Sequence, residues 1–151
     1  MSALREFFTE EDKTGILAAI REAESRTSGE IRVRIEKSAG ENPMAAACAA
    51  FEKLGMGNTE IHNGVLFFLA IDDRQFVILG DDAINEKVPK DFWEEVRDVV
   101  IDNFRKGLFA KGLAEGIKLA GEQLAMYFPH ERGDINELPD AISFADEGGG
   151  Q

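Results

Sequence analysis

The chain has 151 residues, 44% of them hydrophobic, and 17 Lys and Arg against 29 Asp and Glu give it a formal charge of −12. That is chain enough for one domain with a sizeable core, and too little for two full domains. The acidic balance, with a pI near 4.6, excludes nucleic-acid and anionic-membrane binding by charge and leaves cations and basic proteins as partners.

The single cysteine, Cys48, excludes an internal disulfide and a cysteine-rich metal centre. Within Ala45-Ala46-Ala47-Cys48-Ala49-Ala50 it reads as a small buried apolar residue. Met1 to Phe8 runs into Thr9-Glu10-Glu11-Asp12-Lys13 without the apolar stretch of a secretory signal. No window approaches the ~20 apolar residues that span a bilayer. The expectation is a soluble, cytoplasmic chain without a membrane span.

In chain order, Thr9 and Asp12 form a capping-box pattern, and Ile16, Leu17, Ile20 and Ala23 follow at helical spacing, predicting a helix over about residues 10–26. Thr27-Ser28-Gly29 stops it. Glu30-Ile31-Arg32-Val33-Arg34-Ile35-Glu36 then alternates charged with β-branched residues, the period-two pattern of a half-buried strand whose second face carries mutual ion pairs. Asn42-Pro43 opens a second helix with Met44, Cys48, Phe51 and Leu54 on one face, and Gly55 closes it.

The apolar run Gly64-Val65-Leu66-Phe67-Phe68-Leu69-Ala70-Ile71 predicts a central strand covered on both faces. Asp72-Asp73-Arg74 turns it into Gln75-Phe76-Val77-Ile78-Leu79, an antiparallel hairpin partner that ends at Gly80-Asp81-Asp82. After Pro89, Phe92, Trp93, Val96, Val99, Val100 and Phe104 predict a third helix with Phe92-Trp93 as core, and a fourth runs from about Leu108 to Phe128. Gly112, Gly116 and Gly121 within it imply close packing against a neighbour, since each glycine costs a helix interior about 1 kcal/mol against alanine.

The last 22 residues hold six acids and one arginine and end in Gly148-Gly149-Gly150-Gln151. The organisation is therefore one domain over 1–129 and an acidic, largely flexible tail over 130–151, in which Glu137-Leu138-Pro139, Ile142 and Phe144 are candidates for docking. A strand, crossover helix and strand in one sheet run parallel and right-handed. The fold class is α/β: a three-layer α/β/α sandwich on a small mixed sheet with a β-hairpin.

That topology puts the starts of the Glu30 and Gly64 strands at one end of the sheet, and the returning hairpin delivers Asp81 and Asp82 to the same end. Glu30, His62, Asn63, Asp81 and Asp82 converge there, with Glu86 close behind. Carboxylate and amide oxygens at a strand-to-helix junction suit Ca²⁺ or Mg²⁺. The competing reading is structural: Asp81 and Asp82 cap the next turn and Glu30 pairs with an arginine. No EF-hand spacing, H-E-x-x-H, C-x-x-C or dinucleotide glycine loop is present. Asp72 lacks the second acid of an aspartyl phosphotransferase, and Cys48 lacks the following arginine and glycine cradle of a cysteine phosphatase. His62 reads as a turn residue and His130 as solvated tail.

Thr27-Ser28-Gly29-Glu30-Ile31-Arg32-Val33, Asn63-Gly64-Val65-Leu66, Gly80-Asp81-Asp82-Ala83-Ile84-Asn85, Phe104-Arg105-Lys106-Gly107 with Gly112-Leu113, and Asn136-Glu137-Leu138-Pro139-Asp140 together resemble the short, soluble branch of the TPM-domain family. The likeness runs from about Thr9 to Ile142. It implies a Rossmann-like α/β/α sandwich and a divalent-cation site in an acidic depression after the hairpin, on Asp81, Asp82 and Glu86 or Asn85. The family includes a thylakoid lumen acid phosphatase and members serving photosystem repair or receptor modulation. Its longer members carry a Gly-Tyr-Gly-Leu-Glu type sequence where this chain has Gly80 to Asn85.

Two functions follow. The first is a non-enzymatic module that binds Ca²⁺ or Mg²⁺ through Asp81, Asp82, Glu30, Asn63 and Glu86 and engages a partner such as a basic protein. The alternative is a metal-dependent acid phosphatase acting on phosphomonoesters, with Asp81 or Asp82 as ligand, Glu30 as base and Arg105 or Lys106 holding the phosphate.

Overall fold

The computed structural model describes residues 7–58, 62–89, 91–129 and 142–144. In chain order the elements are α1 (Glu10–Glu24), β1 (Glu30–Glu36), α2 (Pro43–Lys53), a 3₁₀ turn (Met56–Asn58), β2 (Gly64–Ala70), β3 (Gln75–Gly80), α3 (Asp82–Lys87), α4 (Phe92–Arg105), α5 (Phe109–Tyr127) and β4 (Ile142–Phe144). The helix starts obey the sequence signals. Asp12 N–H donates to Thr9 Oγ1 at 3.0 Å while Thr9 N–H donates back to Asp12 Oδ2 at 3.2 Å, closing the capping box. Asn42 Oδ1 accepts from Ala45 N–H at 3.1 Å, with Pro43 at the first helical position.

The sheet order is β3-β2-β1-β4. β1 and β2 are parallel, Glu30 opposite Gly64, and β3 returns antiparallel with Gly80 opposite Val65. One face of the sheet presents Ile31, Val33, Ile35, Val65, Phe67 and Leu69 to a core shared with α1, α4 and α5. The other presents Leu66, Phe68, Ala70 and Val77 to Ala47 and Ala50 of α2 and to Met56. This is the three-layer α/β/α sandwich on a mixed sheet. Close packing of α5 follows from its glycines: a Cβ on Gly121 would sit 2.5 Å from Ala23 Cβ in α1, and one on Gly116 would overlap the Val100 side chain in α4.

Three local expectations are corrected and one is made specific. Ile142 and Phe144, expected as docking residues within the acidic tail, dock as β4, parallel to β1 with Val33 opposite Ile142 and Ile35 opposite Phe144. Three residues are too few for periodicity to show. The rest of that segment, including His130 and Glu137-Leu138-Pro139, lies outside the described residues, as do Met1 to Glu6.

The charged face of β1 is buried rather than solvated: Arg32 is 8% and Arg34 4% exposed. Arg34 shows how a guanidinium tolerates this, donating from Nη1 to Ser143 Oγ at 2.8 Å and from Nε to Glu36 Oε2 at 3.0 Å. The same residue therefore holds β4 in place. In α2, Ala47 and Ala50 face the sheet, while Met44 and Cys48 are exposed. An alanine-rich helix carries small apolar residues on several faces, so its sequence leaves the buried side open. Finally, Asp82–Lys87 is a short helix of its own, where the sequence reading had only the end of the hairpin.

Side chains cover the unpaired backbone at the sheet margins. Where the short β4 does not reach along β1, Ile31 N–H donates to Glu24 Oε2 at 2.7 Å, and on the edge strand β3 the Phe76 and Gly80 carbonyls accept from Arg97 Nη1 at 3.1 Å and Asn85 Nδ2 at 3.0 Å. Among the described residues no helix is long and apolar enough to cross a membrane.

Candidate cation site

The site is built by the end of the sheet where β1 and β2 begin and β3 finishes. Glu30 N–H donates to the Asn63 carbonyl at 3.3 Å, and Asp81 N–H donates to the Gly64 carbonyl at 2.9 Å, so the backbones at positions 30, 63, 64 and 81 are tied together. The shared rim expected from the topology is present. What each side chain does there differs.

Asp81 leaves β3 in extended conformation and acts as the N-cap of α3, its Oδ1 accepting from Asp82 N–H at 2.8 Å. The structural reading of Asp81 as a cap is thus correct for one of its two oxygens. Its side chain is only 10% exposed, and Oδ2 is buried with no hydrogen-bond donor. The group facing it is His62, whose Nδ1 lies 3.4 Å from that oxygen.

His62 holds a left-handed backbone conformation, φ 58°, for which histidine is among the more tolerant residue types. Its carbonyl accepts from Ala83 N–H at 3.1 Å, locking this residue to the first turn of α3. The imidazole itself is 55% exposed.

Asp81, Asp82 and His62 form one wall of a cleft of about 490 Å³; Phe51 and Glu52 from the end of α2, with Gly55 and Gly57, form the other. Gly55, at φ 70°, turns the chain back after α2 so that Met56 packs over Gly64, placing Glu52 across from the aspartates. Three carboxylates and no lysine or arginine make up the charged lining among the described residues. Glu52 and Asp82 are exposed, and no three His, Cys, Asp or Glu side chains among the described residues stand close enough to form a ready ligand set.

The other expected ligands are placed apart from the cleft. Asn63 is 2% exposed and donates from Nδ2 to Ser28 Oγ at 3.2 Å, which braces the loop. Glu30 is 4% exposed, and neither it nor Asn63 lines the cleft. Glu86 is exposed on α3, one turn beyond Asp82, and is also outside the lining. Sequence reasoning missed Phe51 and Glu52; the available signal was Gly55-Met56-Gly57, a tight reversal that returns the end of α2 to the sheet end.

Arg105 and Lys106, the two expected phosphate-binding cations, are corrected: neither lines the cleft, and Arg105 belongs elsewhere. It lines a smaller pocket of about 230 Å³ with Arg74, Ile101, Phe104 and Phe109. Arg74 belongs to the β2–β3 turn, so this pocket lies at the opposite end of the sheet, a strand length of ~20 Å from Asp81. The end of α4 therefore brings no guanidinium to the acidic cleft.

Residues 2–123 match the model of the TPM domain. The chain is similar to the NMR structure of BA42 protein from the psychrophilic bacterium Bizionia argentinensis, with 46% identity and a TM-score of 0.89 over 96% of this chain and 100% of that one. The N-terminal domain of a protein from P. gingivalis is similar at 26% identity and a TM-score of 0.61, covering 83% of each chain. The N-terminal domain of cg2496 protein from Corynebacterium glutamicum shares the fold at 20% identity and a TM-score of 0.62, over 77% of this chain and 73% of that one. No curated protein matches the chain. With most of its length matched by the family model and a solved relative nearly half identical along its whole length, the chain belongs to the TPM-domain family.

Proposed function

We propose that this TPM domain binds a divalent cation in the cleft between α2 and α3 and acts as a non-enzymatic binding module. The observation that carries the reading is Asp81 Oδ2: a carboxylate oxygen buried without a hydrogen-bond donor, at the wall of a cleft whose other charged groups are also acids. The facing His62 Nδ1, at 3.4 Å, makes no hydrogen bond to it, and a cation beside this oxygen would recover part of its desolvation cost. Asp81 is the fixed ligand, and the exposed Asp82 and Glu52 supply further oxygens by rotation; hard oxygen donors of this kind suit Ca²⁺ and Mg²⁺.

Glu30 and Asn63 support the site by fixing the backbone of the rim. Binding without turnover is favoured over phosphomonoester hydrolysis because the guanidinium needed at a leaving phosphate lies at the other end of the sheet. Neutralising the cleft also lowers the field of a −12 chain locally and prepares it for a basic protein partner.

The test is a Ca²⁺ and Mg²⁺ titration followed by amide NMR shifts on the wild type and Asp81→Asn. Asparagine serves as an N-cap about as well as aspartate, so the variant keeps α3 while removing the charge. The expected result is saturable shifts confined to Phe51–Gly57, His62–Gly64 and Asp81–Ile84, with affinity reduced about tenfold or more in the variant. Shifts centred on other loops reject the site. A phosphomonoester assay run alongside should show no turnover; turnover abolished by Asp81→Asn would restore the enzyme reading.

A further inference from the structure

We infer that the pocket of about 230 Å³ at the hairpin-turn end of the sheet binds a small aromatic carboxylate, its ring against Phe104 and Phe109 and its charge on Arg74 and Arg105. Three elements build it. Arg74 comes from the β2–β3 turn, Ile101, Phe104 and Arg105 from one face of α4 at i, i+3 and i+4, and Phe109 from the start of α5. The rings of Phe104 and Phe109 meet at 4.9 Å between centroids, and Phe76 and Phe7 back them edge-on at 5.6 Å and 5.3 Å. The aromatic wall is therefore fixed by packing from behind.

Two arginines on an apolar pocket are ordinarily accounted for by ion pairs or by stacking on the rings, and neither accounts for these. Among the described residues Arg74 makes no ion pair, hydrogen bond or ring contact. Its neighbour Asp73 is already taken by Ser38 and Ala39. Arg105 has only Asp102, at 3.8 Å, with the two side chains 77% and 68% exposed; that pair is beyond hydrogen-bond reach and weak in water. Turn geometry does not explain Arg74 either. It stands at φ 55°, a left-handed position where glycine or asparagine is the usual choice.

The lining decides the ligand class. Rings and an isoleucine take an apolar body, and planar guanidinium forks take a carboxylate through paired N–H donors. A phosphate monoester needs donors around three oxygens, and as a dianion it is repelled more strongly than a monoanion by a −12 chain. Size narrows the choice further. The pocket is smaller than the roughly 300–1,000 Å³ that drug-sized ligands occupy, so one ring with a short acidic arm fills it and a nucleotide does not.

The test titrates phenylacetate into the whole chain and follows amide shifts and the Ile101 methyl shift by NMR, beside phenylacetamide, acetate and phenyl phosphate. The expected result is saturable shifts at Arg74 and from Ile101 to Phe109, with half-saturation at about 1 mM or below. Phenylacetamide, which lacks the charge, and acetate, which lacks the ring, should each bind about tenfold more weakly, and phenyl phosphate no more tightly than phenylacetate. Arg74→Asn and Arg105→Gln should each weaken phenylacetate about tenfold; asparagine accepts the left-handed backbone at position 74, and amide spectra unchanged outside the pocket verify both folds. Lys118→Gln removes the same charge from an exposed position on α5 outside the lining and should leave the affinity within about twofold. Phenylacetamide binding as well as phenylacetate, or affinity unchanged in both arginine variants, reduces the pocket to an apolar hollow and overturns the inference. So does phenyl phosphate binding more tightly, or an equal loss in Lys118→Gln. None of these outcomes bears on the cation cleft at the other end of the sheet.

Discussion

The two ends of the sheet each present an aspartate, and the two are treated in opposite ways. At the hairpin-turn end, Asp73 Oδ2 accepts from Ala39 N–H at 2.7 Å and from Ser38 Oγ at 2.8 Å, so one oxygen clasps the β1–α2 loop to the β2–β3 turn. At the opposite end, Asp81 Oδ2 is buried and accepts no hydrogen bond, with His62 Nδ1 facing it at 3.4 Å. The first carboxylate ties two loops together through one oxygen, whereas the second caps a helix with one oxygen and buries the other beside a histidine. Neither residue type nor sequence context separates them, since each sits in an Asp-Asp pair at the end of a strand. The difference lies in what the chain brings alongside: a serine and a free backbone amide in one case, a histidine and an acidic cleft in the other.

The largest way to break this contrast is to disturb the element that aims Asp81. Gly80 precedes it, and a Cβ there would lie 2.8 Å from Ile84 Cγ2 and 2.9 Å from Trp93 Cζ2. Both neighbours belong to helices that pack on the sheet, so the room must come from moving α3 or α4. Gly80→Ala should cost about 1–3 kcal/mol in a urea unfolding titration, the usual range for overpacking a filled core. It should also shift the amides of Asp81 and Asp82 while leaving Ser38 and Ala39 unmoved. A loss below about 0.5 kcal/mol would mean that α3 yields freely and does not hold Asp81 in position.

How far the sequence reached is visible in the same two regions. β1 and the four longer helices were legible from their hydrophobic spacing, and β2 and β3 from apolar runs between clear stop signals. The parallel β1–β2 pair followed from the crossover, and with it the meeting of residues 30, 63 and 81. β4 was not legible, because three residues in an acidic segment show no period and its pairing depends on Arg34, 109 positions away from Ser143. For the site, Asp81 and Asp82 could be read from the topology. Glu52 could not, because its place depends on the reversal at Gly55 and on Met56 settling over Gly64. Glu30 and Asn63 were correctly brought to the rim, but burial turned them inward, which strand ends and charge alone do not reveal.

A smaller effect sharpens the contrast from the other side. Asp73→Ala removes both bonds of the clasp and frees Ser38 and Ala39, while β1 and the hairpin keep their ladder hydrogen bonds. The unfolding midpoint should fall by less than in Gly80→Ala, because Asp73 lies at the surface and water replaces its partners. Amide hydrogen exchange at Ala39 and Gly40 should quicken, with no change in cation affinity at the distant cleft. A weakened cation response in Asp73→Ala would show that the two ends are coupled through the sheet.

The smallest expected effect is an acid titration of that clasp. The Ala39 N–H first, and the Ser38 hydroxyl after it, hold the Asp73 carboxyl below its ordinary value of 3.8. A carboxylate whose folded-state value is depressed binds its proton more readily in the unfolded chain. Its contribution to stability is therefore complete above 3.8 and is lost as the pH falls through the lower folded value. The Ala39 amide shift should follow that step, with its midpoint below 3.8, and the step should be missing in Asp73→Ala. A midpoint at or above 3.8 would mean that the two donors do not hold the charged form, and Asp73 would no longer stand as the hydrogen-bonded counterpart of Asp81.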